Sequence, residues 1–155
     1  MTTDPRRAIR ILMADDDPDD RAMTREALTE ARVANTFESV EDGEALMQYL
    51  RRQGDYAYLA GEPLPGLILL DLNMPRKDGR EALREIRQDP ALRHIPIVIL
   101  TTSKEDQSIW RMYDLGVNSF IVKPVTFAGL VEVMKTLARY WFEIVELPVT
   151  QPGGG

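Results

Sequence analysis

Residues 67–71 read Leu-Ile-Leu-Leu-Asp, an unbroken apolar run that ends on a carboxylate. Residues 9–17 read Ile-Arg-Ile-Leu-Met-Ala-Asp-Asp-Asp, a second largely apolar run that also ends on acid. Apolar runs of this kind, in which apolar and polar residues do not alternate, are typical of strands buried on both faces of a parallel sheet. The carboxylates that follow two such strands would then lie together at one edge of the sheet.

Strand-like and helix-like patterns alternate along the chain. Strands are predicted over 9–14, 37–40, 67–71, 95–100 and 119–122. Helices are predicted over 18–33, from Asp42 and Gly43 onward, over 78–88, from Ser103 to 115, and over 126–145, with a loop at 54–66. Strict alternation with right-handed crossovers predicts an α/β fold, a doubly wound sheet of five parallel strands with helices on both faces.

Apolar spacing predicts which helix faces are buried. The first helix has a one-faced pattern made by Met23, Ala27, Leu28 and Ala31. The last helix has a longer core stripe, which comprises Phe127, Leu130, Val131, Met134, Leu137, Ala138, Trp141, Ile144 and Val145.

Length and composition predict one globular domain over residues 1–147, followed by a flexible tail at 148–155. The net charge of −6 is a poor match for nucleic acid. The sequence contains no apolar run of the ~20 residues that a membrane-spanning helix needs, and no signal-like core precedes the first strand. The absence of cysteine excludes thiolate metal sites and fits a cytoplasmic protein.

Polar residues follow four of the predicted strands at the end where ligands bind in doubly wound sheets. They are Asp15 with Asp16, Asp71, Thr101 and Lys123. Each also has a structural reading, because aspartates and threonines cap helices and form turns. Taken together, they indicate a divalent cation held beside an anion.

Four motifs resemble one known family, the receiver domain of two-component response regulators. They are LMADDDPDD, LILLDLNMPRKDG, ILTTS and NSFIVKPV, which occur in the family's order, and the resemblance runs from about Ile9 to Val145. Within the family, the chain resembles small stand-alone receivers paired with bacterial phytochrome histidine kinases. The features that carry this are the DLNMPRKDG and LTTS segments, the loop at 54–66 and the YWFEIVELP ending.

The resemblance implies a flavodoxin-like strand order of 2-1-3-4-5 and a role for each motif residue. Asp71 would accept a phosphoryl group from a kinase phosphohistidine. Mg²⁺ would be held by Asp15, Asp16, Asp71 and the backbone carbonyl of Asn73. Counting back from Pro18, as in the family's acid-acid-x-Pro pattern, leaves Asp17 as a helix cap.

Thr101 would donate its hydroxyl to a phosphoryl oxygen, and Lys123 would pair with another. Thr101 and Phe120 would form the conformational switch, with the Phe120 ring inward in part of the unphosphorylated population. The alternative is that Phe120 is permanent core. An X-Pro bond is usually trans, but the resemblance alone suggests a cis Lys123–Pro124 bond.

Only ten residues follow Val145, too few for an output domain. The expected function is therefore phosphoacceptor signalling through conformational change and contact with an unknown downstream protein. The chain would not be an enzyme acting on a separate substrate, although it would promote its own phosphorylation and dephosphorylation. Apolar residues at the end of the last helix suggest a homodimer surface made by Trp110, Tyr113, Tyr140 and Trp141; the alternative is a helix packed fully onto its own domain.

Two other functions use similar residues. A haloacid-dehalogenase-like phosphatase would place a second aspartate two residues after the nucleophile, where this chain has Asn73. A degenerate receiver that binds partners without phosphorylation would lack some of the expected site residues, and all of them are present here.

Overall fold

The computed structural model describes residues 10–33, 35–101, 116–117 and 119–140. These residues contain five strands, which are β1 (Ile11–Ala14), β2 (Phe37–Val40), β3 (Leu67–Leu70), β4 (Ile97–Thr101) and β5 (Ser119–Val122). All neighbouring strands pair in parallel, in the order β2-β1-β3-β4-β5. The predicted doubly wound sheet and its strand order are confirmed.

The described helices are α1 (Pro18–Glu30), α2 (Gly43–Arg51), a 3₁₀ helix (Gly54–Leu59), α3 (Gly79–Gln88) and α4 (Phe127–Ala138). The helix predicted after Ser103, and the part of the last helix beyond residue 140, lie outside the described residues. Each α-helix begins at a side-chain cap, provided by Asp17, Asp42, Asp78 and Thr126. Such caps satisfy N–H groups that the first helical turn leaves unpaired.

Alternate residues of the strands point to opposite faces, and each face packs against two of the described helices. On one face, Leu12, Ile68 and Ile99 pack in a cluster that includes residues of α2 and α3. On the other face, Met13 and Leu69 pack in a cluster that includes residues of α1 and α4. Burying one such aliphatic side chain stabilises the fold by roughly 1.5–3 kcal/mol. Because each cluster buries many of them, the strands and the residues at their ends are held in fixed positions.

Two residues predicted to face the core are exposed. Met23 is 36% exposed, and Thr24 takes the buried position instead, donating its hydroxyl to the Asp20 carbonyl at 2.8 Å. Phe127 is 40% exposed because it is the first residue of α4, one turn before the buried stripe begins at Leu130. The predicted burial of both residues was therefore wrong.

The segment at 54–66, predicted to be a loop, contains the 3₁₀ helix and is tied to the end of α2. Arg52 ends α2 in a left-handed conformation with φ of 57°. Its guanidinium donates to the carbonyls of Tyr49 at 2.8 Å, Glu62 at 3.0 Å and Pro63 at 2.9 Å. The Gly66 N–H donates to the carbonyl of Arg10, which directly precedes β1, so the segment lies at the end of the sheet opposite the carboxylates.

None of the helices in the described part of the chain combines the length and the hydropathy that a bilayer crossing requires.

Candidate functional site

The end of β1 places a buried carboxylate beneath the first turn of α1. Asp15 is fully buried, and its Oδ1 accepts the Asp17 N–H at 2.9 Å. Arg21, one turn into α1, donates to the Asp15 carbonyl at 2.7 Å. Asp17 accepts the Asp19 N–H at 2.9 Å and caps the helix, with Pro18 in its first position. The prediction that Asp17 caps the helix is confirmed, and the role of Asp15 as a metal ligand stays a prediction.

The end of β3 places a second carboxylate beside the first. The Asp71 N–H donates to the Ala14 carbonyl at 3.0 Å, which extends the pairing of β3 with β1 by one residue. Asp71 is 7% exposed, and its Oδ1 accepts the Asn73 N–H at 3.1 Å. This hydrogen bond leaves the other oxygen of Asp71 facing Lys123.

Asp15, Asp16 and Asp71 together form a group that could hold a cation. One carboxylate oxygen from each lies within 4.8 Å of the others, with Asp15 and Asp71 buried and Asp16 exposed. Hard divalent cations prefer oxygen ligands and keep some of their water. Two buried ligands and one at the surface fit such an ion, because water can reach it from the side of Asp16.

Lys123, which directly follows β5, supplies positive charge to this cluster. Its Nζ lies 2.5 Å from Asp15 Oδ2, 2.7 Å from Asp20 Oδ2 and 3.4 Å from Asp71 Oδ2. Burial alone would lower the pKa of Lys123, but hydrogen bonds and charges from these aspartates raise it above the ordinary value. Burial raises the pKa of Asp15, and the hydrogen bond from Lys123 opposes that shift. Lys123 therefore stays charged.

The peptide bond between Lys123 and Pro124 is trans, so the suggestion that it is cis was wrong. The ammonium group reaches Asp15 and Asp71 with the ordinary bond. The long, flexible lysine side chain provides this reach.

Asp20 is a member of the cluster that the strand-end pattern did not identify. Its carboxylate bonds Lys123 more closely than Asp71 does, at 2.7 Å against 3.4 Å. It sits in the first turn of α1, four residues after Asp16. Asp16 precedes the helix, so the signal that could have found Asp20 is its carboxylate in the first turn of the helix that directly follows the strand-end aspartates.

The structure describes the side chain of one predicted switch residue, Phe120, but only the backbone of the other, Thr101. Thr101 ends β4, where it pairs with Val122 of β5, but its side chain lies outside what the structure describes. Phe120 is partly buried and packs against the core cluster on the α2 and α3 face. The hydroxyl role of Thr101 and the switch role of Phe120 stay predictions.

Of the residues predicted to form a dimer surface, only Tyr140 is described, and it is 51% exposed. Trp110, Tyr113 and Trp141 lie outside the described residues.

A largely apolar groove adjoins the acidic cluster and shares Asp20 and Lys123 with it. Its other walls come from α1, the end of β4, the segment after β5 and α4, through Met23, Thr24, Leu100, Pro124, Val125 and Leu130. A partner that settles in this groove would lie against the carboxylates.

Comparison with known proteins agrees with this geometry. A family model described as the response regulator receiver domain matches residues 11–135. The chain belongs to this family. It is a receiver, and hence a phosphoacceptor signalling protein of a two-component system.

The receiver is similar to response regulators of phytochrome systems. Response regulator Rcp1 from Synechocystis sp. is 38% identical over 138 residues, which cover 89% of this chain and 92% of Rcp1. The crystal structure of the phosphorylated cyanobacterial phytochrome response regulator RcpA matches with a TM-score of 0.79 at 40% identity, covering 88% of this chain and 95% of RcpA. A crystal structure of Mn²⁺-bound Rcp1 gives 0.78 at 37% identity, covering 88% of this chain and 96% of Rcp1.

Receiver domains bind a divalent metal ion at an acidic cluster of this kind, as the Mn²⁺-bound structure of Rcp1 illustrates. They also act with sensor histidine kinases.

Proposed function

We propose that Asp71 of this receiver accepts a phosphoryl group from the phosphohistidine of a sensor kinase. Mg²⁺ would be bound by Asp15, Asp16, Asp71 and the Asn73 carbonyl. The observation that supports this most is the gathering of three carboxylate oxygens within 4.8 Å of one another, beside the Lys123 ammonium. A nucleophile, a cation site and a second positive charge then share one edge of the sheet.

The chemistry requires a carboxylate to attack a group that is itself negative. An Asp71 oxygen forms a bond to phosphorus while the bond from phosphorus to the imidazole nitrogen breaks, and the nitrogen keeps the electron pair. The bound cation supplies positive charge that reduces repulsion between Asp71 and the phosphoryl oxygens. Lys123 is close enough to Asp71 to bind a second phosphoryl oxygen, and the Thr101 hydroxyl would bind a third.

The same site would promote loss of the phosphoryl group. Water attacks phosphorus, the bond from phosphorus to the Asp71 oxygen breaks, and inorganic phosphate leaves with the carboxylate regenerated. Asp16 is exposed, so water would reach the phosphorus from that side of the cluster. The receiver would therefore act on itself in both directions without a separate substrate.

A bacteriophytochrome or a related sensor histidine kinase is the proposed partner, in the cytoplasm. The support is the similarity to Rcp1 and to RcpA, which is named as a phytochrome response regulator. The apolar groove that shares Lys123 with the site is a surface on which the kinase would dock during transfer. Phosphotransfer profiling against the histidine kinases of the source organism tests this; fast transfer from an unrelated kinase alone would contradict it.

The signal would pass through Thr101 and Phe120 to a protein partner. The hydroxyl of Thr101 would move to the phosphoryl group, and the Phe120 ring would follow into the vacated space. Phe120 is partly buried against the core, and we expect its ring to be inward in part of the unphosphorylated population. A solution structure with this ring solely outward before phosphorylation would contradict the proposal.

We also propose that the receiver spans residues 1–147, of which 1–9 and 141–147 lie outside the described residues, as does the predicted tail at 148–155, and that it forms a homodimer through its last helix. Tyr140, exposed near the end of the described helix, supports this. We expect sedimentation velocity to show a dimer for the wild type and a monomer for Tyr140→Glu and Trp141→Glu. A wild type that sediments as a monomer would end the dimer proposal.

Metal dependence tests the central proposal. We expect the intact protein to gain the mass of one phosphoryl group when it is incubated with acetyl phosphate and Mg²⁺. Chelation of the metal should abolish the gain, because the divalent charge that reduces repulsion between Asp71 and the donor is then removed. An equal gain in excess EDTA would contradict a metal-assisted transfer, and circular dichroism confirms that chelation leaves the fold intact.

A further inference from the structure

The loop between Asp71 and α3 is tied to the start of a different helix. This loop, residues 72–78, carries Asn73, whose carbonyl is a proposed metal ligand. We propose that Asp42 and Arg76 are positioning residues that fix this loop and thereby set the metal affinity of the site. The inference rests on the proposed function, since it concerns the same cation.

Asp42 is a nearly fully buried carboxylate, 2% exposed, and it uses both of its oxygens. Its Oδ1 accepts the Ala45 N–H at 2.7 Å and caps α2. Its Oδ2 accepts the Arg76 Nη1–H at 2.7 Å. Capping needs only one oxygen, and asparagine caps helices about as well as aspartate. The second oxygen and the negative charge therefore serve Arg76.

Arg76 has an unusual backbone for its residue type. Its φ is 64°, in the left-handed region that asparagine and glycine adopt more readily than arginine does. Strained positions of this kind persist where surrounding contacts hold them. The side chain is 64% exposed, yet its guanidinium reaches the buried Asp42. The ion pair with Asp42 explains why an arginine occupies position 76 despite this backbone conformation.

A backbone contact reinforces the ion pair one residue further along. The Gly43 N–H donates to the Lys77 carbonyl at 3.0 Å. A Cβ at position 43 would lie 2.0 Å from that carbonyl oxygen, so the approach requires glycine. The Gly79 N–H also donates to the Leu72 carbonyl at 3.0 Å, closing the loop on itself.

These contacts hold both ends of the loop, and Asn73 lies between them. Among the described contacts, the hydrogen bond of Asn73 is the one from its N–H to Asp71, at 3.1 Å. A metal site binds more tightly when its ligands are already in place, because less ordering is needed on binding. Breaking the ion pair between Asp42 and Arg76 should therefore weaken metal binding, although neither side chain belongs to the proposed ligand set.

Binding of Mn²⁺, followed by the electron paramagnetic resonance signal of the free ion, tests this on the full chain. Asp42→Asn keeps the helix cap but loses the charge that holds Arg76. Arg76→Gly loses the side chain and relieves the backbone strain. We expect the Kd for Mn²⁺ to rise about three- to tenfold in each variant, with little further change in the double variant. Arg76→Lys should recover part of the affinity.

Arg10→Met is the matched control. It removes another arginine–carboxylate pair, 2.6 Å from Glu62, at the opposite end of the sheet. We expect its Kd for Mn²⁺ to equal that of the wild type. If Asp42 and Arg76 only stabilised the fold, the Kd for Mn²⁺ would rise in every variant as its free energy of unfolding fell, and Arg10→Met would show the same relation.

Three results would overturn the inference. The first is an unchanged Kd in Asp42→Asn and Arg76→Gly, and the second is an equal rise in Kd in Arg10→Met. The third is a double variant whose fold-increase in Kd is the product of the fold-increases in the two single variants. In each of these the wild type binds Mn²⁺ and the proposed metal site stands. A wild type that binds no Mn²⁺ would instead reject the metal site, and this inference with it.

Discussion

Asp71→Asn should abolish phosphorylation by acetyl phosphate and by the partner kinase, leaving no detectable gain in mass. The amide of asparagine is a far poorer nucleophile than a carboxylate and cannot form the acyl phosphate. The substitution keeps the shape of the side chain, and the carbonyl oxygen of asparagine can still accept the Asn73 N–H that Asp71 accepts at 3.1 Å. The fold should therefore persist while the chemistry is lost.

Asp17→Asn is the matched control for this experiment. It removes one negative charge close to the same cluster, but asparagine keeps the hydrogen bond that caps α1, where Asp17 accepts the Asp19 N–H at 2.9 Å. We expect it to be phosphorylated to nearly the wild-type extent. Phosphorylation that persists in Asp71→Asn would show that another residue is the acceptor, and an equal loss in Asp17→Asn would show that net charge, rather than one nucleophile, decides the outcome.

The sheet and the residues at its edge could be predicted because both follow from strands. A continuous apolar run such as Leu67–Leu70 indicates a strand buried on both faces, and a parallel sheet brings the ends of its strands together. Asp15, Asp71 and Lys123 each directly follow a strand, so their proximity needed no knowledge of helix packing.

Residues whose placement depends on helix rotation or on a loop could not be predicted in this way. Met23 and Thr24 are adjacent, and the orientation of α1 about its own axis decides which one is buried. Asp20 reaches Lys123 from that same helix, over 103 residues of sequence. The pairing of Asp42 with Arg76 joins a helix cap to a loop 34 residues later, and its burial is visible only in the folded chain.

Lys123→Met should strengthen metal binding while it slows phosphorylation. In the structure, the Lys123 ammonium lies 2.5 Å from Asp15 Oδ2, on a carboxylate that the cation would use. A metal ion bound by this carboxylate oxygen would therefore compete with Lys123 for it. A hydrogen bond between charged groups contributes about 1.5–3 kcal/mol, so removing this competition should lower the Kd for Mg²⁺ about ten- to hundredfold.

Asp20 would let the wild-type receiver release Asp15 to the proposed metal and still keep Lys123 at the site. With Asp15 engaged by a cation, the ammonium retains Asp20 at 2.7 Å and remains near Asp71, where a phosphoryl oxygen can bind it. Methionine fills similar space but offers no charge, so the phosphoryl group loses a partner and transfer from acetyl phosphate should slow.

Calorimetric titration with Mg²⁺ and the rate of mass gain measure the two effects of Lys123→Met separately. Lys135→Met is the control, because Lys135 is exposed on α4 and its ion pair is with Glu132, at 3.4 Å; both quantities should stay at wild-type values. Weaker or unchanged Mg²⁺ binding in Lys123→Met would show that the ammonium does not compete with the metal for Asp15. Tighter Mg²⁺ binding in Lys123→Met with an unchanged rate of phosphoryl transfer would instead show that Lys123 pairs with the carboxylates but does not act on the phosphoryl group.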